Sequence, residues 1–300
     1  MSPSIVGFIG FGEAASCLVQ HLSSQGVKEI LVYCSGNTNR PPYAPKFRSA
    51  VEASGAVLVE SIEDLTKKSD VIFSAVVVSS AVETGLLIAS HLKRGTLVID
   101  INASTPKAKK QVSLAIENSG GSFVDANLMG AVSIYGAKVP LYCSGGGVSR
   151  FEKAFSPLGL SIEDAGIIAG ASAAVKMLRS VVTKGMEALI VEAMTAASLA
   201  GVRKEALRNI CDPMDATKFS NFADMCLRTD VLHAERRAIE MDGAVETISD
   251  LGITPLMAIA TAARLRASAA LGLRDKFSLM GKYQADQVLD AYVQKIESSS

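Results

Sequence analysis

An α/β N-terminal domain of the doubly wound, Rossmann type, followed by an all-α C-terminal domain, is the fold this sequence predicts. Three observations carry the prediction. Short apolar runs of strand length alternate with amphipathic stretches through the first half of the chain. A glycine turn separates the first such run from the first helical pattern. Beyond residue 170 helical periodicity continues to the end with no further strand pattern. The texture changes near Gly166 and Gly170, which places one domain over 1–166 and a second, helical one over 167–300.

Ile5–Ile9 reads as a strand, 14–24 as a helix and Glu29–Tyr33 as a second strand. A polar loop rich in Ser, Gly, Asn and Pro follows over 34–45, then a short apolar run over 56–59. The runs 70–78 and 96–101 are continuously apolar, as strands are when helices cover both faces of a sheet. Helices are expected over 61–68, 80–92 and 106–119, and strands over 122–127 and 140–144. In the second half, one long helix is expected from 171 to about 200, with further helical blocks at 203–211, 215–227, 230–250, 254–271 and 283–297.

Composition excludes several classes of function. Hydrophobic residues make up 49% and charged residues 20%, enough for buried cores and too apolar for disorder. Thirty basic and 30 acidic residues balance, overall and on each side of residue 166, so no basic groove for nucleic acid is expected. Aromatics are 5% and Trp is absent, which argues against base-stacking platforms. The five cysteines, Cys17, Cys34, Cys143, Cys211 and Cys226, form no CxxC, and only three histidines accompany them, so no metal site is expected. They read as reduced residues of a cytoplasmic protein. No signal peptide is evident, and Glu187 and Glu192 interrupt the longest apolar helix, so no membrane partner is expected.

Gly10-Phe11-Gly12-Glu13-Ala14-Ala15 fits G-x-G-x-x-A after a strand and before a helix. Gly10 permits the tight turn, Gly12 lets a pyrophosphate approach the backbone, and Ala15 keeps helix and strand close. The helix N-terminus then faces the phosphates. A dinucleotide cofactor follows. The second strand ends Tyr33-Cys34-Ser35 with no carboxylate to take the ribose 2′-hydroxyl, and the loop continues through Asn37, Thr38 and Arg40. Hydroxyls, amides and an arginine suit a 2′-phosphate, so NADP(H) is expected, with NAD(H) as the other candidate. Against this, Arg40 also reads as a solvated loop residue.

On the long helix, Lys176, Ser180, Thr183 and Glu187 fall on one narrow face among apolar neighbours. Such a stripe needs a polar cavity or partners. Lys176 is a candidate acid/base, or else it pairs with Glu187 or lines solvent; Lys184 is the alternate further round the helix. His233 sits beside Arg236, Arg237 and Glu240 at helical spacing, either as an anion site or as a surface ion cluster.

The order of these motifs resembles the β-hydroxyacid dehydrogenase superfamily, which includes 3-hydroxyisobutyrate dehydrogenases and relatives of 6-phosphogluconate dehydrogenase. The resemblance rests on the glycine turn, Asp100-Ile101-Asn102-Ala103-Ser104-Thr105-Pro106, Asp125-Ala126-Asn127-Leu128-Met129-Gly130, and Gly170-Ala171-Ser172-Ala173-Ala174-Val175-Lys176. The block from His233 to Met241 and then Gly252-Ile253-Thr254-Pro255-Leu256-Met257 is similar to the helical domain of the phosphogluconate-dehydrogenase-like branch. The resemblance implies Lys176 as general acid/base and Ser104 or Thr105 beside the nicotinamide. It implies that 76–79, with Val76 and Val77, and Asn102 border the cofactor, and that Leu128, Met129 and Gly130 line a substrate pocket. It also implies a homodimer through the helical domain, with the long helix packed on its counterpart. Two departures stand out. Met129-Gly130-Ala131 replaces the common Ser-Gly-Gly, removing a hydroxyl that helps hold a substrate carboxylate. Arg179-Ser180 replaces the common Asn-Asn, so Ser180 offers a shorter donor and Arg179 a carboxylate clamp or a solvated charge.

The expected protein is thus an NADP(H)-dependent oxidoreductase moving hydride between the nicotinamide and a carbonyl or hydroxyl carbon of a small substrate. Two other readings stay open. One is an NADPH-dependent imine reductase, against which Lys176 counts because that group more often carries Asp or Tyr there. The other is a non-catalytic NADP-binding sensor or scaffold.

Overall fold

The computed structural model describes residues 3–36 and 39–298. It divides into two compact units, Met1–Ser180 and Val181–Ser300. The division falls inside the long helix, later than the change of texture at 166.

In the first unit, β1 (Ile5–Ile9), β2 (Glu29–Tyr33), β3 (Val57–Leu58), β4 (Val71–Ser74), β5 (Leu97–Asp100), β6 (Ser122–Leu128), β7 (Leu141–Ser144) and β8 (Ile162–Asp164) form one sheet, in the order β3-β2-β1-β4-β5-β6-β7-β8. All neighbours pair in parallel except β6 and β7. Between them run α1 (Glu13–Ser24), α2 (Pro45–Ala53), α3 (Ile62–Lys68), α4 (Ala81–His91), α5 (Pro106–Asn118), α6 (Val132–Tyr135) and α7 (Val148–Phe155).

The continuous apolar runs of the sequence are explained by covering on both faces. On β4, Val71 and Phe73 enter one core and Ile72 the other; on β5, Leu97 and Ile99 oppose Val98. Phe8 stacks on Phe73 with ring centroids 4.7 Å apart, and Phe155 meets Phe73 edge-on at 5.4 Å. The other core gathers Leu65, Ile88, Val112 and Ile116 from α3, α4 and α5.

The structure departs from the sequence expectation in a few short elements. The 70–78 run stops being strand at Ser74, because Val76 turns its N–H to a side chain rather than to a neighbouring strand. α2 begins with Pro45 in its first turn, inside what reads as loop. α7, whose Val148, Phe151 and Phe155 fall on one buried face, is an addition, and the three-residue edge strand β8 is too short for periodicity to reveal.

The long helix α8 (Ala171–Leu199) opens in the first unit and continues into the second. The second unit further holds α9 (Arg203–Asp215), α10 (Phe219–Asp250), α11 (Leu256–Ala270), α12 (Arg274–Met280) and α13 (Ala285–Glu297). The two blocks expected at 215–227 and 230–250 are one helix, since no Gly or Pro breaks the run between them. α9 runs on to Asp215, ending within a turn of Pro213. α12, between Gly272 and Gly281, is an addition. A small core of Val231, Leu273, Phe277, Val288 and Ala291 forms around α10, α12 and α13. No single described helix is long and apolar enough to cross a membrane.

Glu192, a charge that interrupts the apolar pattern of α8, has a structural use. Its carboxylate accepts from the N–H groups of Met257 at 2.8 Å and Ala258 at 2.9 Å, capping α11, which has no cap from its own residues. Glu192→Ala is therefore expected to cost about 1–2 kcal/mol, read as a lower urea midpoint with an unchanged slope.

Candidate active site

The sheet order reverses between β1 and β4, so the loops after these two strands diverge and leave a crevice at their C-terminal ends. The glycine turn lies on one side of it. Gly10 donates its N–H to the Tyr33 carbonyl at 2.8 Å and has a φ of 95°. A Cβ there would stand 2.1 Å from the Ala75 carbonyl oxygen, so the turn packs directly on the segment after β4. Gly12 is the opposite case: a Cβ would meet no atom within 4 Å. No side chain caps α1 at Gly12, so its first donors face this open space. An open cradle at a helix N-terminus fits a pyrophosphate. Phe11 is half-buried with its ring edge-on to Phe47 at 6.0 Å, while Glu13 is exposed and Ala14 half-buried.

At the end of β2, the Tyr43 hydroxyl accepts from Cys34 N–H at 3.1 Å and donates to the carbonyls of Cys34 (3.3 Å) and Val59 (3.0 Å). Burial pushes the Cys34 thiol up to about 11 and the Tyr43 phenol to about 12. Both stay neutral near pH 7, and residues 33–36 include no carboxylate, so the strand end carries no negative charge. Ser35 and Arg40 are exposed beyond it; Asn37 and Thr38 lie outside the described residues.

Val76 is half-buried and Val77 exposed. Val76 N–H donates to Asn102 Oδ1 at 2.7 Å, and Asn102 Nδ2 donates to Ser74 Oγ at 3.0 Å, so Asn102 holds the chain after β4 against that after β5. Ser104 and Thr105 differ in what their hydroxyls meet. Thr105 Oγ1 accepts from Ala108 N–H at 3.2 Å as the N-cap of α5. Ser104 Oγ is buried with no protein partner. A buried hydroxyl left unpaired is costly unless something completes it, so Ser104 fits a residue that a cofactor group satisfies.

Beyond β6, Met129 N–H donates to the Pro140 carbonyl at 2.8 Å. A Cβ at Gly130 would lie 2.8 Å from the exposed Tyr135 ring, which would have to shift to admit it. Lys176 is half-buried on α8. Ser180 Oγ donates back to the Lys176 carbonyl at 2.9 Å, which leaves its lone pairs for a ligand. Arg179 is exposed and reaches the Met129 carbonyl at 3.4 Å, so its guanidinium borders the 128–131 segment.

His233 lies half-buried on α10 in the second unit. Of its basic neighbours, Arg236 pairs with Glu240 on the surface and Arg237 donates to Thr229 at 3.0 Å.

Sequence reasoning missed Lys109 and Tyr43. Lys109 is fully buried, with its ammonium 3.0 Å from Asp100 and 3.2 Å from Asp125. Its signal was present: Lys109, Val112, Ser113 and Ile116 share one helical face, and that face is buried. Tyr43 was hidden in the polar loop and carried no periodic signal.

Residues 5–159 match the family model described as the NAD binding domain of 6-phosphogluconate dehydrogenase, and residues 197–268 match a domain of unknown function, DUF1932. The chain belongs to the β-hydroxyacid dehydrogenase superfamily. It is an NAD(P)-binding oxidoreductase. A conserved protein whose solved structure is similar to 3-hydroxyacid dehydrogenases is 30% identical, with a TM-score of 0.60, over 89% of this chain and 98% of that one. The 2-(hydroxymethyl)glutarate dehydrogenase of Eubacterium barkeri is 24% identical over 73% of this chain and 72% of its own length. An imine reductase variant from Myxococcus stipitatus, solved with NAD+, shares the fold at 17% identity and a TM-score of 0.74, over 91% of this chain and 95% of that one.

The two glycines of this superfamily member should fail differently. Gly12→Val fills the cradle and is expected to weaken NADPH binding at least tenfold, about 1.4 kcal/mol, with little change in melting temperature. Gly10→Ala meets the Ala75 carbonyl at a left-handed φ and is expected to destabilise the fold by about 1–3 kcal/mol. Fluorescence titration and thermal melts separate the two.

Proposed function

We propose that the protein is an NADP(H)-dependent reductase or dehydrogenase acting on a small carbonyl or hydroxyacid substrate, with Lys176 as general acid/base. The observation that carries this reading is the convergence at one end of the sheet. Gly12 offers an open cradle, Ser104 an unpaired buried hydroxyl, and the first turn of α8, which bears Lys176 one turn on, is pinned to β6 by the bond from Ala173 N–H to Asp125 Oδ2 at 3.0 Å. The nicotinamide supplies or takes hydride at C4 when bound. Lys176 gives a proton to the substrate oxygen as negative charge develops there, and in the reverse direction the neutral amine takes it back. Ser104 orients the nicotinamide edge, and Ser180 and Arg179 face the substrate. Preference for NADP(H) is supported by the uncharged end of β2 and by exposed Ser35 and Arg40.

The pocket segment favours a second reading in one respect. Met129-Gly130-Ala131 lacks a hydroxyl, and Ile134 and Tyr135 beside it are exposed, so an apolar imine is a substrate class to assay alongside carbonyls. The reading includes a homodimer through the helical domain, supported by Val181, Ile190, Val191 and Leu199 of α8, which leave large apolar surfaces uncovered. A cytoplasmic setting is supported by the free cysteines.

Purified protein with NADPH should oxidise the cofactor in the presence of at least one 2-oxoacid, 3-oxoacid, semialdehyde or cyclic imine, followed at 340 nm. Lys176→Met should slow turnover about 10²–10⁴-fold with NADPH affinity within a factor of about three; near-normal turnover would overturn the assignment. Arg40→Ala should weaken NADPH about tenfold, about 1.4 kcal/mol, and leave NADH binding unchanged. Sedimentation should report a dimer.

A further inference from the structure

The proposed proton and hydride steps make no use of Lys109, yet this side chain is 0% exposed. Its ammonium has three donors and three acceptors: Asp100 Oδ1 at 3.0 Å, Asp125 Oδ1 at 3.2 Å and the Asp100 carbonyl at 2.8 Å. Each carboxylate then reaches a different wall of the site. Asp100 Oδ1 accepts from Asn102 N–H at 2.9 Å, and Asn102 in turn holds Val76 N–H and Ser74 Oγ. Asp125 accepts from Asn127 Nδ2 at 2.8 Å, from Ser144 Oγ at 3.3 Å and from Ala173 N–H at 3.0 Å. Ser172, beside Ala173, is gripped as well. Its N–H donates to Ser144 Oγ at 3.0 Å, and its hydroxyl accepts from Asn127 Nδ2 at 2.9 Å and donates to the Tyr142 carbonyl. Lys176 follows Ala173 by one turn of α8.

We propose that Lys109 is a positioning residue that couples the cofactor-lining segment after β4 to the helix turn carrying Lys176, so that filling the first orders the second. The inference rests on the reading that the crevice takes NADP(H). The physical basis is a shared ammonium. Two buried carboxylates divide one cation, and burial keeps the pair free of salt screening. When Val76 and Asn102 are fixed, Asp100 is fixed, and the ammonium then holds Asp125 and the first N–H groups of α8 in one geometry. A positioning network of this kind is recognised by coupling, and loss of stability alone does not establish it.

The test is amide hydrogen exchange on the full chain with and without NADPH. In the native protein NADPH should slow exchange at Val76 and Asn102, and also at least fivefold at residues 172–174. In Lys109→Met the protection should persist at Val76 and Asn102 but fall below twofold at 172–174. Lys109→Met leaves two buried carboxylates unpaired and risks the fold. A second variant therefore adds Asp100→Asn and Asp125→Asn, which removes all three charges and keeps one acceptor oxygen at each position, enough at 125 for Ala173 N–H; the same loss of transmitted protection is expected there. If both variants transmit protection as the native chain does, and only speed exchange uniformly across β1 and α1, Lys109 is a stability element and the proposal is overturned. If the native chain protects Val76 and Asn102 but not 172–174, the coupling fails while the cofactor reading stands. If NADPH protects no amide, both fail.

Discussion

A single ammonium buried between two carboxylates ties together the segments that build this site. Burying ions is expensive, and a buried pair is a weak source of net stability, but breaking one by removing a partner costs about 3–5 kcal/mol. Lys109 meets that constraint by filling every donor, and Asp100 and Asp125 meet it by accepting from Asn102 N–H, Asn127 Nδ2, Ser144 Oγ and Ala173 N–H. Burial pushes the Asp100 carboxyl upward, and the Lys109 ammonium is the main opposing influence. The network sits where β5, β6, α5 and the start of α8 meet. There, Gly170 approaches the Pro106 carbonyl so closely that a Cβ would lie 2.8 Å from its oxygen. The first turns of α8 therefore belong with the sheet, which is why the compact unit extends to Ser180.

The crevice shows how backbone and side chains divide the work of recognition. Gly10 is required by protein packing, whereas the space beside Gly12 is open. Asn102 cross-links two loops, and Ser104 keeps an unpaired hydroxyl beside them. At the edge of the crevice, Tyr43 closes the end of β2 with three hydrogen bonds, and a neutral thiol stands where a carboxylate would select against a 2′-phosphate.

Among the described residues, the helical unit buries few polar side chains. Glu192 caps α11, Tyr283 donates to the Arg228 carbonyl at 2.9 Å, and Tyr292 donates to Asp230 at 2.8 Å. Its apolar core is small, and α8 keeps several large apolar side chains uncovered. Helices built this way gain most of their stability from tertiary packing.

Much of the fold was legible because its signals are local. Strand-length apolar runs, helical periodicity and the spacing of Gly10, Gly12 and Ala15 are properties of contiguous segments, and so is the polar face beginning at Lys176. Sequence alone determined the α/β-then-helical architecture and the dinucleotide turn, and it singled out the face that begins at Lys176. Only the tertiary structure decided that Ser104 and not Thr105 is unpaired, that Arg179 turns to the Met129 carbonyl, and that Lys109 is a buried hub. Each of these depends on which donors and acceptors from distant segments meet in a place without water, and no periodicity along one segment records that meeting.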